Sequence, residues 1–205
     1  MQTHVGARVP FPYSWRRIFD SWRKLLGEFE TDESDIAFWY NEPANVTLFA
    51  GAIWRSWDTS RCVGEWIVHR GAQGGGRKGK ADLWFRAPEF TCDVEAKIRW
   101  PTRVGDTRFA GIGTSLKLAH TQLLTTNWAS GSDMAVAMCF VVPWLPTATK
   151  HPTKEGKQIA DAVWAKYQTS TSFQSEFFLK DANNGWSANK NRWSPGIILH
   201  GRVVR

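Results

Sequence analysis

The sequence predicts an α/β protein, and three observations carry this prediction. A helix-period stripe of apolar residues runs through 14–30, three short stretches between 62 and 98 have strand composition, and a continuous apolar run begins at Met134. Through residue 142 the predicted order is an N-terminal helix, then helix, three strands, helix and strand. Because 205 residues with 42% hydrophobic content suffice for one compact core, we expect a single domain over 1–205.

The first predicted element is an amphipathic helix over 14–30, with Ser14 as its N-cap. Its apolar residues recur at helical spacing: Trp15, Ile18, Phe19, Trp22, Leu25, Leu26 and Phe29. Basic residues on its polar face (Arg16, Arg17, Arg23 and Lys24) also leave a membrane-surface helix open. We favour a helix that packs on the domain, since tertiary packing is the usual use of such a stripe.

A second helix is predicted from 41–43 to Trp57, because proline is tolerated at a first helical position. Strand composition and connections of hairpin length then predict an antiparallel meander, whose strands are 62–70, 80–86 and 91–98. A helix over 114–127 and a strand over 134–142, buried on both faces, follow. The C-terminal extension, 150–205, is predicted to hold a helix at 153–168 and strands at 173–180 and 196–204 around the polar loop 181–193.

Composition limits the possible functions. Lys and Arg number 26 against 19 Asp and Glu, and this net charge of +7 favours a polyanionic partner. The apolar share and 13 tryptophans exclude a disordered chain. Three cysteines without a CxxC pair exclude a disulfide framework and a zinc ribbon, so we expect a reducing, cytoplasmic location. No apolar leader core opens the sequence, and the run at 134–145 is shorter than the ~18 residues of a membrane span, so we expect no membrane partner.

Charged residues alternate along the third strand of the meander. Asp93, Glu95 and Lys97 share one face, while the residues between them can be buried on the other. In the preceding strand Asp82 lies opposite the apolar Leu83 and Phe85. If the two strands pair as a hairpin, Asp82 and Glu95 approach each other with Lys97 alongside.

Two carboxylates this close repel each other unless a cation or a proton intervenes. Mg²⁺ suits the position because it takes carboxylate, carbonyl and water oxygens, and in phosphodiester cleavage it polarises the phosphate and makes water easier to deprotonate. Lys97 could then orient the attacking water and offset the negative charge of the transition state.

Asp82, followed after twelve residues by Glu95-Ala96-Lys97, resembles the D…ExK signature of the PD-(D/E)XK nuclease superfamily. The resemblance implies a restriction-endonuclease-like core at about 42–142, in which a helix, a three-strand meander, a helix and a strand build a central mixed sheet flanked by helices. The N-terminal helix and the C-terminal extension are additions to this core. The implied activity is metal-dependent hydrolysis of phosphodiester bonds, with a DNA endonuclease as the leading expectation.

The same resemblance assigns roles to residues. Asp82 and Glu95 would hold Mg²⁺ or Mn²⁺, and Lys97 would assist the attacking water. Glu42, from the first core helix, and Gln122, from the helix after the meander, are the further catalytic candidates, with Lys117 behind Gln122. Nucleic acid, most of all DNA, is the implied partner, and a homodimer is compatible with it.

Context separates this triplet from chance. A second ExK, Glu155-Gly156-Lys157, opens a polar helix and lacks an upstream Asp at hairpin distance. The match departs from the named motif at Ala81, where the eponymous proline would stand. Ordinary alternatives stay open for several residues: a helix N-terminus for Glu42, solvated strand positions for Asp82 and Glu95, and a surface amide for Gln122. For Asp93 the alternatives are a spare metal ligand and a solvated position near the hairpin, and the solvated position is favoured.

Two other features compete for function. The segment 74–80 nearly matches a phosphate-binding GxxxxGK[ST] loop, but Ala81 replaces the hydroxyl residue and a strand follows where a helix is needed. A hairpin turn is favoured there, either solvated or with Arg77, Lys78 and Lys80 contacting phosphates beside the site.

The tryptophans divide into two groups. Trp54, Trp66 and Trp164 lie in apolar patterns typical of a core, whereas Trp186 and Trp193 lie in the polar loop and could stack on bases or cover the edge of the core. A non-catalytic nucleic-acid-binding or protein-interaction module on a nuclease-like fold is the alternative function.

Overall fold

The computed structural model describes residues 2–32, 36–70, 77–127, 131–187 and 191–205. The helices are α1 (Pro12–Asp32), α2 (Glu42–Ser56), α3 (Thr107–Thr125) and α4 (Pro152–Tyr167), with short 3₁₀ turns at Ala37–Trp39 and Ala182–Gly185. The strands are β1 (Thr3–Val5), β2 (Arg61–Arg70), β3 (Arg77–Arg86), β4 (Thr91–Arg99), β5 (Thr126–Asn127), β6 (Met134–Val141), β7 (Leu145–Pro146), β8 (Ser172–Phe178), β9 (Trp186–Ser187), β10 (Arg192–Trp193) and β11 (Gly196–Val203).

The strands form one large sheet and one small one. Within the described ranges the large sheet has eight strands in the order β1-β8-β11-β6-β4-β3-β2-β5, and β7, β10 and β9 make the small sheet. Neighbours in the large sheet are antiparallel except β4 and β6, which are parallel and are connected through α3. The predicted order of helix, three antiparallel strands, helix and strand is therefore found, as α2, β2 to β4, α3 and β6.

Helices cover both faces of the large sheet. Alternate residues of β6 belong to different clusters: Val136 and Met138 pack in the core beneath α1 and α2, whereas Cys139 and Val141 pack beneath α3 and α4. All eight residues of β6 are buried, which confirms the prediction of a strand covered on both faces. The mixed α/β class with a helix-flanked sheet is thus confirmed.

The stripe of α1 lies in the core, as predicted, with Trp15, Ile18 and Trp22 fully buried. The N-cap prediction was wrong, because the helix begins at Pro12 and Ser14 lies inside it. Proline is well suited to a first helical position, and the buried Ser14 hydroxyl instead donates to the Glu89 carboxylate. A membrane-surface role is wrong as well, since the apolar side of α1 is covered by the sheet. No helix in the described part of the chain is long and apolar enough to cross a membrane.

The side chains of Asn41 and Asp106 cap α2 and α3 and thereby fix where these helices begin. The Asn41 side chain accepts a hydrogen bond from the Ala44 amide at 3.1 Å, which places Glu42 at the first position of α2. The Asp106 carboxylate accepts from the Phe109 amide at 2.6 Å, so α3 begins at Thr107 and not at the predicted residue 114. The strand predicted at 80–86 likewise begins earlier, at Arg77.

Candidate active site

Strands β3 and β4 separate at the residues that the sequence singles out. Their register pairs Arg86 with Thr91 and runs to Leu83 with Val94. Beyond that point Oδ2 of Asp82 accepts a hydrogen bond from the Ala96 amide at 2.7 Å. The carboxylate takes the position that a carbonyl of β3 would have in a continuing ladder, so Asp82 is fixed where the two strands part.

Lys97 lies at the centre of the carboxylates. Its Nζ is 3.6 Å from Oε1 of Glu42, 3.6 Å from Oδ2 of Asp82 and 3.9 Å from Oε2 of Glu95. The same ammonium donates a hydrogen bond to the Ala96 carbonyl. Four of the five catalytic candidates therefore meet at one point, which combines β3, β4 and the start of α2.

The three carboxylate side chains of the cluster differ in their exposure to solvent. The Glu95 side chain is 1% exposed, while those of Asp82 and Glu42 are 19% and 29% exposed. A solvated strand position is therefore wrong for Glu95. A buried carboxylate is costly without a cation or hydrogen bonds, and here the ammonium of Lys97 provides the positive charge.

Glu42 was interpreted either as an acidic residue at a helix N-terminus or as a member of the site. It is the first residue of α2 and also lies in the cluster. Burial raises the pKa of its carboxyl above the ordinary value, and the neighbouring Asp82 carboxylate raises it further. The Lys97 ammonium and the Ile98 amide lower the pKa, but by less than burial and Asp82 raise it. Ionised Glu42 is thus held at an energetic cost, as is common for residues kept for function.

We expect Glu42→Gln to unfold at a higher temperature than wild type near pH 7 and at about the same temperature near pH 4. The folded-state pKa of Glu42 is raised, so its favourable contribution to stability is present below its unfolded pKa and is lost as pH rises through the folded pKa. Thermal melts of the two proteins across this range test the difference. A melting difference that does not grow with pH would contradict it.

A cavity of about 400 Å³ adjoins the cluster. Glu42 and Asp82 form part of its wall, and Val46, Leu83 and Trp54 form much of the rest. Trp54 was expected in the core, but it is 52% exposed, because it lies on the solvent side of α2. Trp164 is half-buried and stacks on His4 with ring centroids 4.7 Å apart, and the side chain of Trp66 lies outside the described residues.

Gln122 lies on α3, one helical turn after the buried Ala119. This is the side of α3 that faces the sheet, and Gln122 is half-buried there. Its catalytic role stays a prediction. Lys117 is exposed on the solvent side of the same helix.

Asp93 was expected to be solvated, and this expectation was wrong. The residue is fully buried, because α3 covers this face of β4, and its Oδ2 is 3.3 Å from Nη2 of Arg205. A half-exposed arginine near the end of the chain thus compensates a carboxylate two residues before Glu95. We interpret the Asp93–Arg205 pair as part of the sheet's support.

The basic segment is strand and not turn. Arg77, Lys78 and Lys80 all pair with β2 as part of β3, although a turn was predicted for them. Lys80 is exposed and lies 3.1 Å from Oε2 of Glu65. The side chains of Arg77 and Lys78, and the rest of the predicted turn at 71–76, lie outside the described residues.

Trp186 and Trp193 pack against each other in the small sheet, with ring centroids 4.7 Å apart. Nε1 of Trp193 donates to the Thr147 carbonyl at 3.4 Å. Because each ring already packs against the other, the pair fits the expectation of a cover over the edge of the core better than that of free base-stacking platforms.

The donor atoms of the cluster suit a hard divalent cation. Carboxylate and carbonyl oxygens are the ligands that Mg²⁺ and Mn²⁺ prefer, and Glu42, Asp82, Glu95 and the Ala96 carbonyl all lie around one positive charge. That charge is the Lys97 ammonium. As the side chains are placed, no group of three or more His, Cys, Asp or Glu among the described residues could hold a metal. A metal ion therefore requires Lys97 to move outward and the carboxylates to close.

Comparisons of the chain with protein-family models, with curated proteins and with solved structures gave no match. The chemistry of the site is therefore the basis for a functional assignment. The Ala96 carbonyl is a member of the cluster that sequence reasoning missed, because a backbone oxygen has no signal in the residue type. The only hint is its position between Glu95 and Lys97.

Proposed function

We propose that this protein is a metal-dependent nuclease of the PD-(D/E)XK type that hydrolyses phosphodiester bonds of nucleic acid. The observation that carries the proposal is the convergence of Glu42, Asp82 and Glu95 on Lys97 where β3 and β4 part. The order of α2, the β2–β4 meander, α3 and the parallel strand β6 supports it, since it is the order that the resemblance implies.

Asp82 and Glu95 are the proposed ligands of Mg²⁺ or Mn²⁺, and Glu42 adds a third carboxylate. A divalent cation supplies polarisation of the phosphate and a lower pKa for water. Glu95 is held rigidly by burial, while the more exposed Asp82 and Glu42 face the solvent side, from which a substrate can approach. The chain thus provides one buried and two accessible carboxylates.

Lys97 has the proposed role of assisting the attacking water. The Lys97 ammonium would be repelled by a divalent cation bound to the carboxylates, and the flexible four-carbon stem of Lys97 would let it move toward the solvent side. There it can orient the water and offset the negative charge that develops on the phosphate. Its present contacts with three carboxylates show that it reaches the site from β4.

Nucleic acid as the substrate is supported by the net charge of +7. Arg77, Lys78 and Lys80, in the half of β3 that leads to Asp82, are proposed phosphate contacts. We propose DNA as the main substrate and endonucleolytic cleavage as the reaction.

One observation favours a non-catalytic module as the second candidate. Lys97 already compensates the carboxylates without a metal ion. A site of this kind can persist as a structural charge cluster on a binding domain. Metal binding and cleavage distinguish the two candidates.

The deciding experiment is a cleavage assay over duplex, single-stranded, branched and methylated DNA and over RNA. We expect cleavage of at least one substrate with Mg²⁺ or Mn²⁺, and loss of cleavage with EDTA, because paired carboxylates need a cation to act on a phosphate. No cleavage with either metal, together with no metal binding in calorimetry, would replace the enzyme with the binding module.

A further inference from the structure

A second cavity, of about 690 Å³, lies at the end of β4. It is lined chiefly by three tryptophans and two arginines: Trp39, Trp100, Trp144, Arg99 and Arg108. These residues come from the 3₁₀ turn before α2, the end of β4, the segment after β6 and the start of α3. Indole rings and guanidinium groups that meet in one concave surface are typical of sites for single-stranded nucleic acid.

Strand geometry places this cavity beside the proposed catalytic cluster. Arg99 is two residues after Lys97 on the same side of β4, a separation of about 7 Å along the strand. Trp39 is three residues before Glu42. The Trp144 amide donates to the Pro101 carbonyl at 2.8 Å, which keeps the segment carrying Trp144 beside the one carrying Trp100.

The arginines are available for phosphate. Nε of Arg99 lies 3.4 Å from the Gly111 carbonyl, and Nη1 lies 3.4 Å from the Ile98 carbonyl, so the side chain is positioned without a carboxylate. Arg108 is exposed. Neither arginine forms a salt bridge within the described ranges, so neither positive charge is neutralised there by an ion pair.

A third cavity, of about 580 Å³, continues the surface, since Thr107 and Arg108 line both. It adds Arg103 and Arg192. Two acidic residues, Asp106 and Glu155, also line it, so its three arginines are opposed by two carboxylates. The two cavities together form an arginine-rich groove that leads away from the carboxylate cluster.

We propose that this groove binds a single strand of nucleic acid and leads it to the carboxylate cluster, so that the substrate is a single-stranded or splayed region. The inference rests on the proposed nuclease function. The tryptophans favour a single strand over a duplex, because a ring can stack only on an exposed base face, and inside a duplex these faces are covered by the neighbouring bases. The arginines contact the phosphates, and the bases stack on the solvent-facing parts of Trp39, Trp100 and Trp144, which are half-buried.

Binding without cleavage tests this proposal. Fluorescence anisotropy in EDTA compares labelled oligothymidylate and oligouridylate with a duplex of the same length and charge per strand. We expect the full-length protein to bind at least one of the single strands about tenfold more tightly than the duplex, with quenching of its tryptophan fluorescence. The two single strands distinguish DNA from RNA.

Two variants identify the surface. Trp144→Ala should weaken single-strand binding by about tenfold, the scale of one lost stacking contact. Arg108→Gln should lower the slope of log affinity against log salt by about 0.7, the value for one phosphate contact on a single strand. Tyr13→Ala and Arg16→Gln, which alter exposed residues of α1, are matched controls and should change neither quantity.

The outcomes are distinct from those of the cleavage assay. Equal or tighter duplex binding, or unchanged affinity in Trp144→Ala and unchanged salt slope in Arg108→Gln, would overturn the groove. If Trp144→Ala does not fold, the salt slope of Arg108→Gln, which alters an exposed residue, and the affinities of wild type for single strand and duplex still test the groove. Absence of cleavage with intact, variant-sensitive strand binding would reject the nuclease function and leave the groove in place.

Discussion

Lys97→Ala should cleave about a hundredfold or more slowly than wild type while binding Mg²⁺ or Mn²⁺ at least as tightly. The scale is that of one positioned proton-transfer or charge-stabilising group. Metal affinity is retained because the ammonium now lies among Glu42, Asp82 and Glu95 and competes with a metal ion for the same oxygens. Calorimetric metal titration beside single-turnover rates measures both quantities.

Asp82→Ala and Glu95→Ala should lose metal affinity together with cleavage, since each removes a proposed ligand. Asp58→Ala, which alters an exposed carboxylate outside the cluster, is the matched control and should keep both. Full activity in Lys97→Ala would show that the catalytic residues are assigned wrongly. Wild-type metal affinity in both Asp82→Ala and Glu95→Ala would do the same.

Asp82→Asn separates chemistry from structure at this position. In the folded protein Asp82 accepts the Ala96 amide proton at 2.7 Å, so alanine also leaves a backbone donor without its acceptor. Asparagine keeps an oxygen that can accept this hydrogen bond but loses the charge. We expect Asp82→Asn to be more stable than Asp82→Ala and still impaired in metal binding.

The protein should lose about 3 kcal/mol of stability between pH 7 and pH 4 through one histidine, His200. Burial lowers the pKa of this fully buried residue to about 4, and nearby Arg202 lowers it too, while the Tyr167 carbonyl raises it only in part. The unfolded chain has the ordinary value of 6.5 and binds the proton first. Stability is therefore present above pH 6.5 and is lost as pH falls toward 4, at about 1.4 kcal/mol per pKa unit.

Hydrogen bonding explains why His200 stays neutral. Oε1 of Gln174 can only accept, so Nδ1 of His200, 3.1 Å away, must carry the proton. Nε2 is buried, and a second proton there would place a positive charge in the core near Arg202, with only the Tyr167 carbonyl to favour it.

Urea unfolding at a series of pH values measures the loss of stability, and proton NMR of the histidines should show that His200 does not titrate between pH 5 and pH 8. Removal of the exposed His151 in His151→Gln should leave the loss unchanged. A normal titration of His200, or stability that does not fall below pH 6.5, would contradict the prediction.

The sequence predicted helices and strands well where the apolar pattern within the segment itself determines the structure. The apolar run of β6 and the helical stripe of α1 are strong signals, and the structure has both within two residues at each end. The predicted starts of two helices were wrong because a single residue decides each of them: Asp106 caps α3 earlier than its apolar spacing indicates, and Pro12 begins α1 before Ser14. The prediction that Trp54 lies in the core was wrong, because the apolar pattern of α2 does not tell which residue lines the cavity.

The cluster was predictable in part. Asp82, Glu95 and Lys97 lie on neighbouring strands of one meander, so alternation and hairpin pairing suffice to bring them together. Glu42 comes from a helix forty residues before Asp82, and only tertiary packing decides that α2 begins beside Lys97. The groove could not be predicted from the sequence either, since Trp39, Arg99 and Trp144 belong to three separate segments that only tertiary packing brings together.

The place of β11 in the large sheet has a consequence for biosynthesis. This strand, 196–203, lies between β6 and β8, and β8 in turn carries β1. While a ribosome is still making residues before 196, β6 therefore has an open edge in the nascent chain, although all eight of its residues are buried in the final fold. Such edges pair readily with other chains. We expect folding to finish only after β11 has emerged, and nascent chains to depend on chaperones until then.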